Sequence, residues 1–154
     1  MENDLKIDHG TLVQWVNNSD SMTAETRALS EKCRDYYDTK QWTGSEVAKL
    51  TAQKQAATVS NRIKPKMDSL LGMESTNRTT AKAFPRTPAH QKQAEAATES
   101  IRFVLQNNSF DRVRTDAFDN MLIEGTGGSE VIVKPEGKEY KVIINTIYWD
   151  RLFY

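Results

Sequence analysis

The chain has 154 residues, 27% of them charged and 38% hydrophobic, with 21 Lys/Arg against 21 Asp/Glu. That is enough apolar material for one domain with a modest core, and too much for a disordered tail. No apolar run approaches membrane-spanning length and the first thirty residues lack a signal-peptide pattern, so the expectation is a soluble, unexported protein.

The charge is neutral overall but unevenly placed. Residues 1–48 carry five Lys/Arg against nine Asp/Glu, residues 49–92 nine against two, and residues 93–154 seven against ten. A basic middle between acidic flanks fits either nucleic acid or pairing with an acidic face of the same or a neighbouring chain.

Between Thr11 and Tyr37, Leu12, Val16, Leu29, Cys33, Tyr36 and Tyr37 recur at helical spacing, with the polar patch Asn17 to Ser21 expected to split the segment in two. "DYYDTKQW" reads as a helix end and turn, with Tyr36, Tyr37 and Trp42 available to pack. Thr43 and Glu46 have capping-box spacing and predict a short helix from Gly44 to about Gln55. Asn61 is placed to cap a further helix that carries Pro65 early and Ile63, Met67, Leu70 and Leu71 as its apolar stripe. Gly72 either ends that helix or admits a close neighbour.

From Thr76 to Pro88, Pro85 and Pro88 impose an extended edge or loop around Phe84. Ala89 to Gln106 predicts a helix with Ala94, Ala97, Ile101, Val104 and Leu105 on one side. After Asn107-Asn108, Ser109 or Asp111 starts another, with Phe110, Val113, Ala117, Phe118, Met121 and Leu122 as its face and Gly125 at its end. So short a link predicts a helical hairpin. The period then changes to two: Val131 and Val133, a turn at Pro135-Glu136-Gly137-Lys138, then Tyr140, Val142, Ile144 and Thr146. The expected class is α+β, several amphipathic helices followed by a C-terminal β-hairpin.

Few residues offer chemistry. The loop Gly125 to Ser129 follows a helix and enters a strand, the reverse of a phosphate-cradling loop, so its expected role is to end one and start the other. Asp116, Asp119 and Glu124 have the spacing of paired carboxylates on a helix, and a solvated helix face is the favoured reading. His9 and His90 read as surface residues, and Cys33, the sole cysteine, as a small core residue. Asn17, Asn77 and Asn107 begin glycosylation-like triplets that carry no meaning without export. No metal, cofactor or catalytic residue is assigned, and the protein is not expected to be an enzyme.

Six phrases carry a resemblance: "DYYDTKQWT", "NRIKPKMDSLLG", "NRTTAKAFPRTP", "AEAATESI", "SFDRVRTDAFDNMLIEG" and "IYWDRLFY". In that order they resemble the N-terminal part of portal proteins, the head-to-tail connectors of short-tailed bacteriophages. The resemblance covers residues 27–154, and residues 1–26 form a poorly matched helical segment. Ala56-Ala57 stand where relatives often carry a proline. The ending "WDRLFY" stands where family chains continue with Asp-Pro, so the expectation is a chain truncated at its C-terminus, with Trp149, Phe153 and Tyr154 normally covered.

What the resemblance implies is a structural role. Family members form rings of twelve subunits at a capsid vertex, around the channel for packaging and ejecting double-stranded DNA. They dock terminase, scaffolding and tail adaptor proteins. The location implied is the virion, with assembly in the host cytoplasm and no membrane. The matched part would belong to the wing and its lead into the stem. Arg62, Lys64, Lys66, Arg78 and Arg86 are the candidates for subunit pairing first and for facing DNA second. The alternatives are a stand-alone small nucleic-acid-binding protein using residues 49–92, or a non-functional prophage remnant.

Overall fold

The computed structural model describes residues 7–137 and 139–152. Its elements are helices α1 (His9–Tyr37), α2 (Gly44–Ala52), α3 (Ile63–Thr76), α4 (Gln91–Asn107) and α5 (Phe110–Glu124), then strands β1 (Gly128–Glu136) and β2 (Glu139–Ile147). Short 3-10 turns at Pro88–His90 and Trp149–Arg151 precede α4 and follow β2. The class is α+β, as the change of period predicts.

α1 is one helix rather than two. The polar patch does not break it because hydroxyls there bond to the preceding turn: Ser21 donates to the Asn18 carbonyl (2.9 Å) and Thr23 to that of Ser19 (2.7 Å). Asp8 caps its start, accepting from the Gly10 amide. Its end is a Schellman motif with Thr39 in the left-handed region (φ 67°), where the Lys40 amide donates to Asp35 (2.7 Å).

The capping box of α2 forms as expected, with the Thr43 amide donating to Glu46 Oε2 (2.8 Å) and the Glu46 amide to Thr43 Oγ1. The helix stops at Ala52, earlier than the sequence suggests, because Lys54 turns left-handed (φ 58°) and the Gln55 amide returns to Leu50. Asn61 does cap α3: its Oδ1 accepts from the Ile63 and Lys64 amides (3.0 and 3.1 Å). The same side chain donates to the Tyr36 and Tyr37 carbonyls, tying α3 to the end of α1. Gly72 plays neither expected part, since α3 runs on to Thr76 and a Cβ at Gly72 would meet open space.

α5 is the hub, packing against α1, α3, α4 and both strands. Ser109, left-handed at φ 47°, turns the chain between α4 and α5, and Gly125 (φ 83°) ends α5 as expected. Next to it Gly127 lies so close to α5 that a Cβ would fall 1.9 Å from the Ala117 carbonyl oxygen. Only glycine lets the chain double back there. The hairpin pairs Gly128 with Ile147 through Glu136 with Glu139. Pro135 and Glu136 therefore belong to β1, and the turn is narrower than expected, with Gly137 at φ 67° as a two-residue hairpin loop requires. Lys138 lies outside the described residues. Asn108 fixes the hairpin to the α4–α5 corner, accepting from the Ile144 amide (2.9 Å) and donating to the Val142 carbonyl (3.0 Å).

The core is thin. Among the described residues the buried apolar side chains are Ala94, Ile123 and Ile144, and no large side chain is fully enclosed. Polar groups supply much of the remaining burial: Thr23, Ser30, Thr98, Asn120 and Glu124.

Candidate functional site

Two polar joints on α5 hold the helices in register. At the first, Arg34 from α1 reaches across to α5, pairing with Glu124 through Nε and with Asp119 through Nη2 (3.3 Å). Ser30, one turn earlier, donates to the Glu124 main-chain oxygen (2.7 Å). Burial pulls the Arg34 pKa down, but the hydrogen bond and charge of Glu124, joined by Asp119, outweigh it and the net shift is upward. The Glu124 side chain is 1% exposed and that of Arg34 27%. Glu124 Oε2 and Asn120 Nδ2 have no hydrogen-bond partner among the described residues, so the carboxylate depends on Arg34 for its charge compensation.

The expected solvated carboxylate face is therefore corrected for two of its three members. Glu124 is buried and Asp119 half-buried because α1 covers that side of α5, while Asp116 makes a long contact to Arg112 (3.8 Å). No group of three potential metal ligands occurs among the described residues.

The second joint links α3 to α5. Glu74 receives Arg78 (2.9 Å) from its own chain segment and Arg114 (2.8 Å) from α5. The Arg78 hydrogen bond is the main influence holding the Glu74 carboxyl below the usual carboxylate range, with burial opposing and the two positive charges assisting. Arg78 also meets Asp111 (3.4 Å) and the Thr115 hydroxyl.

Of the five basic candidates, Arg78 is thus half-buried in an intrachain cluster, whereas Arg62, Lys64, Lys66 and Arg86 are exposed. Lys64 also stands 5.2 Å from the centre of the Tyr37 ring. Arg62, Lys64 and Lys66 come together at the start of α3, and Arg86 lies on the extended segment before α4. On that segment Phe84 is 79% exposed, held by the Ala83 amide donating to Thr98 (3.0 Å).

Cys33 is exposed rather than in the core, because the side of α1 that carries it faces an open apolar cleft. That cleft, about 430 Å³, lies between α1, α3 and α5. His9 and His90 are exposed, as expected. Tyr37, beside the cleft, donates to Asp68 (2.8 Å); burial first and that bond second push its pKa up to about 12. Sequence reasoning missed both joints. The signal available was the i,i+4 pair Glu74 and Arg78, which nominates a helix-surface pair but not its partner on α5.

The geometry is one of tie points between helices and open surfaces around them. A family model described as phage P22-like portal protein matches residues 13–154. The chain belongs to the phage P22-like portal family. No curated protein matches it. Portal proteins are structural components of the phage capsid vertex, forming rings together with other head and tail proteins. In that setting the two joints hold the shape of a portal subunit, and the exposed apolar and basic surfaces face outward from it. No helix among the described residues is long and apolar enough to cross a membrane.

Proposed function

We propose that this portal chain forms the wing and the lead into the stem of a subunit in a twelve-membered ring. Double-stranded DNA passes through that ring during packaging and ejection without being read, and terminase, scaffolding and tail adaptor proteins dock on it. The observation that carries the reading is the family match over nearly the whole chain. The thin core is consistent with it: Trp15, Met22, Leu29, Phe84, Phe103, Val131 and Tyr140 are all more than half exposed, surface that neighbouring subunits would cover.

In a head-to-tail ring each subunit meets its neighbours with two different surfaces, and complementary charge sets the register. Arg62, Lys64, Lys66 and Arg86 supply positive charge to one of them. Arg78 acts from beneath, fixing the segment that leads to Arg86. Titration with duplex DNA at two salt concentrations tests the assignment against DNA contact. The expected result is weak DNA binding that charge reversal of the exposed four leaves unchanged, with self-association reduced. Salt-sensitive DNA binding lost on that reversal refutes pairing and favours a DNA-facing surface.

A further inference from the structure

We propose that the open edge of β1 pairs antiparallel with β1 of a second copy of this chain, joining two hairpins into one continuous sheet. The contact goes beyond the ring reading, because it is two-fold, closes at two copies and leaves the head-to-tail surfaces free.

The two edges of the hairpin differ. On β2, Asn108 takes up the Ile144 amide and the Val142 carbonyl, so that edge is occupied and these groups point away from β1. Their partners across the ladder, Val131 and Val133, are therefore in the non-hydrogen-bonded pairs, and their own main-chain groups point away from β2 on the opposite side. Along β1 the outward set is Ser129, Val131, Val133 and Pro135. None of their main-chain groups has a partner among the described residues. Pro135 fits this edge, since the N–H it lacks would be an outward one. Val131 and Val133 are 65% and 59% exposed. An unpaired edge carrying β-branched side chains is a template for another strand.

β1 complements itself in one register. With Ile132 opposite the partner's Ile132, each Val131 faces the partner's Val133, and each such pair exchanges two main-chain hydrogen bonds. The Ser129 amide then reaches the partner's Pro135 carbonyl, which asks no N–H of the proline. The same register sets Glu130 opposite the partner's Lys134, twice over by symmetry. A slip of two residues one way puts Glu130 against Glu136, and the other way leaves it against Ile132.

Both charges are available for that pairing. Within its own hairpin Lys134 stands opposite Lys141, which is directed to Glu136 (3.8 Å), and Lys134 has no ion pair among the described residues. Glu130 is exposed and accepts from Asn145 through Oε1 (3.1 Å), so Oε2 is left for an ammonium. The occupant that answers both the free backbone and the alternating charge is β1 itself.

The test is cross-linking of the 154-residue chain in a Cys33→Ser background. Ile132→Cys would place two thiols on a non-hydrogen-bonded pair, with Cα atoms about 4.5 Å apart and within disulfide range, so mild oxidation should give a covalent dimer. Ser129→Cys, about 20 Å from its counterpart in this register, should not cross-link. In analytical ultracentrifugation Glu130→Lys or Lys134→Glu should each weaken dimerisation about 10-fold, because both cross-strand pairs become like-charged. The swap Glu130→Lys/Lys134→Glu should restore it. Circular dichroism checks each fold, and where a charge variant unfolds the cysteine pair decides. An Ile132→Cys chain that stays monomeric on oxidation, a Ser129→Cys chain that cross-links as readily, or a folded swap as weak as its single variants overturns the contact. Each of these leaves the ring reading standing, since its basic residues lie on other elements.

Discussion

Replacing Arg34 with Met isolates the contribution of the α1–α5 joint. Met keeps the aliphatic reach of arginine but removes the guanidinium, so Glu124, whose side chain is 1% exposed, loses its charge partner while its Oε2 already lacks one. Stripping one member from a buried ion pair costs about 3–5 kcal/mol, because the remaining carboxylate is neither solvated nor compensated. Natural domains hold only about 5–15 kcal/mol in all, so this is a large fraction. For a chain of this size each kcal/mol corresponds to about 2–4 °C, giving a loss of about 6–20 °C in Tm. The companion Arg34→Met/Glu124→Leu removes both charges and should recover most of the loss, since an apolar pair of similar volume avoids the desolvation penalty. Urea unfolding followed by circular dichroism, run on the singles and the double, gives the coupling between the two sites. If Arg34→Met alone costs under about 1 kcal/mol, or if the double is worse than the single, Glu124 does not depend on Arg34 and the reasoning fails.

Gly127→Ala should cost about 1–3 kcal/mol or more, since its Cβ would sit 1.9 Å from the Ala117 carbonyl; thermal unfolding measures it, and a neutral result contradicts the close approach. Glu74, with its folded pKa depressed chiefly by Arg78, contributes stability above the ordinary glutamate pKa that is lost as pH falls through the lower folded value. Glu74→Gln should therefore flatten the acid limb of the stability profile while leaving the neutral-to-alkaline slope alone. Tyr37, raised to about 12, should be among the last tyrosines to ionise in an ultraviolet pH titration. Its stabilisation is present below the unfolded value and fades as pH rises towards the folded one. Tyr37→Phe should cost about 0.5 kcal/mol, the low end for a hydrogen bond at a partly exposed site.

Local chemistry was readable. Thr43 with Glu46, Asn61 ahead of Pro65, and Gly125 mark boundaries because each acts within a few residues of itself, and the alternation around Val131 and Val142 gives the hairpin. The phrase "SFDRVRTDAFDNMLIEG" carried much of the resemblance, and it spans the helix that most of the fold packs against. What sequence did not reveal lies across long separations. Arg34 and Glu124 are 90 residues apart, and nothing near either one distinguishes it from a solvated surface charge. Cys33 was misread because helical periodicity identifies an apolar side but not whether another element covers it. The Asn17 to Ser21 patch was misread because propensity is a weak prior, and hydroxyls that back-bond to the preceding turn let a helix carry polar residues through its middle.

The continuity of α1 makes it a lever. It is gripped over its second half by α5 and projects about 21 Å beyond that grip. A rotation of only ~5° at the Arg34 joint would swing the far end, about 37 Å away along the helix, by roughly 3 Å, taking the rise per residue as fixed. A small relaxation inside one subunit therefore becomes a displacement as large as a side-chain contact at its end, and a stiff rod passes it on with little attenuation. In a closed circle of identical members such displacements cannot accumulate independently, so the angle at which α1 leaves α5 becomes a property of the whole circle.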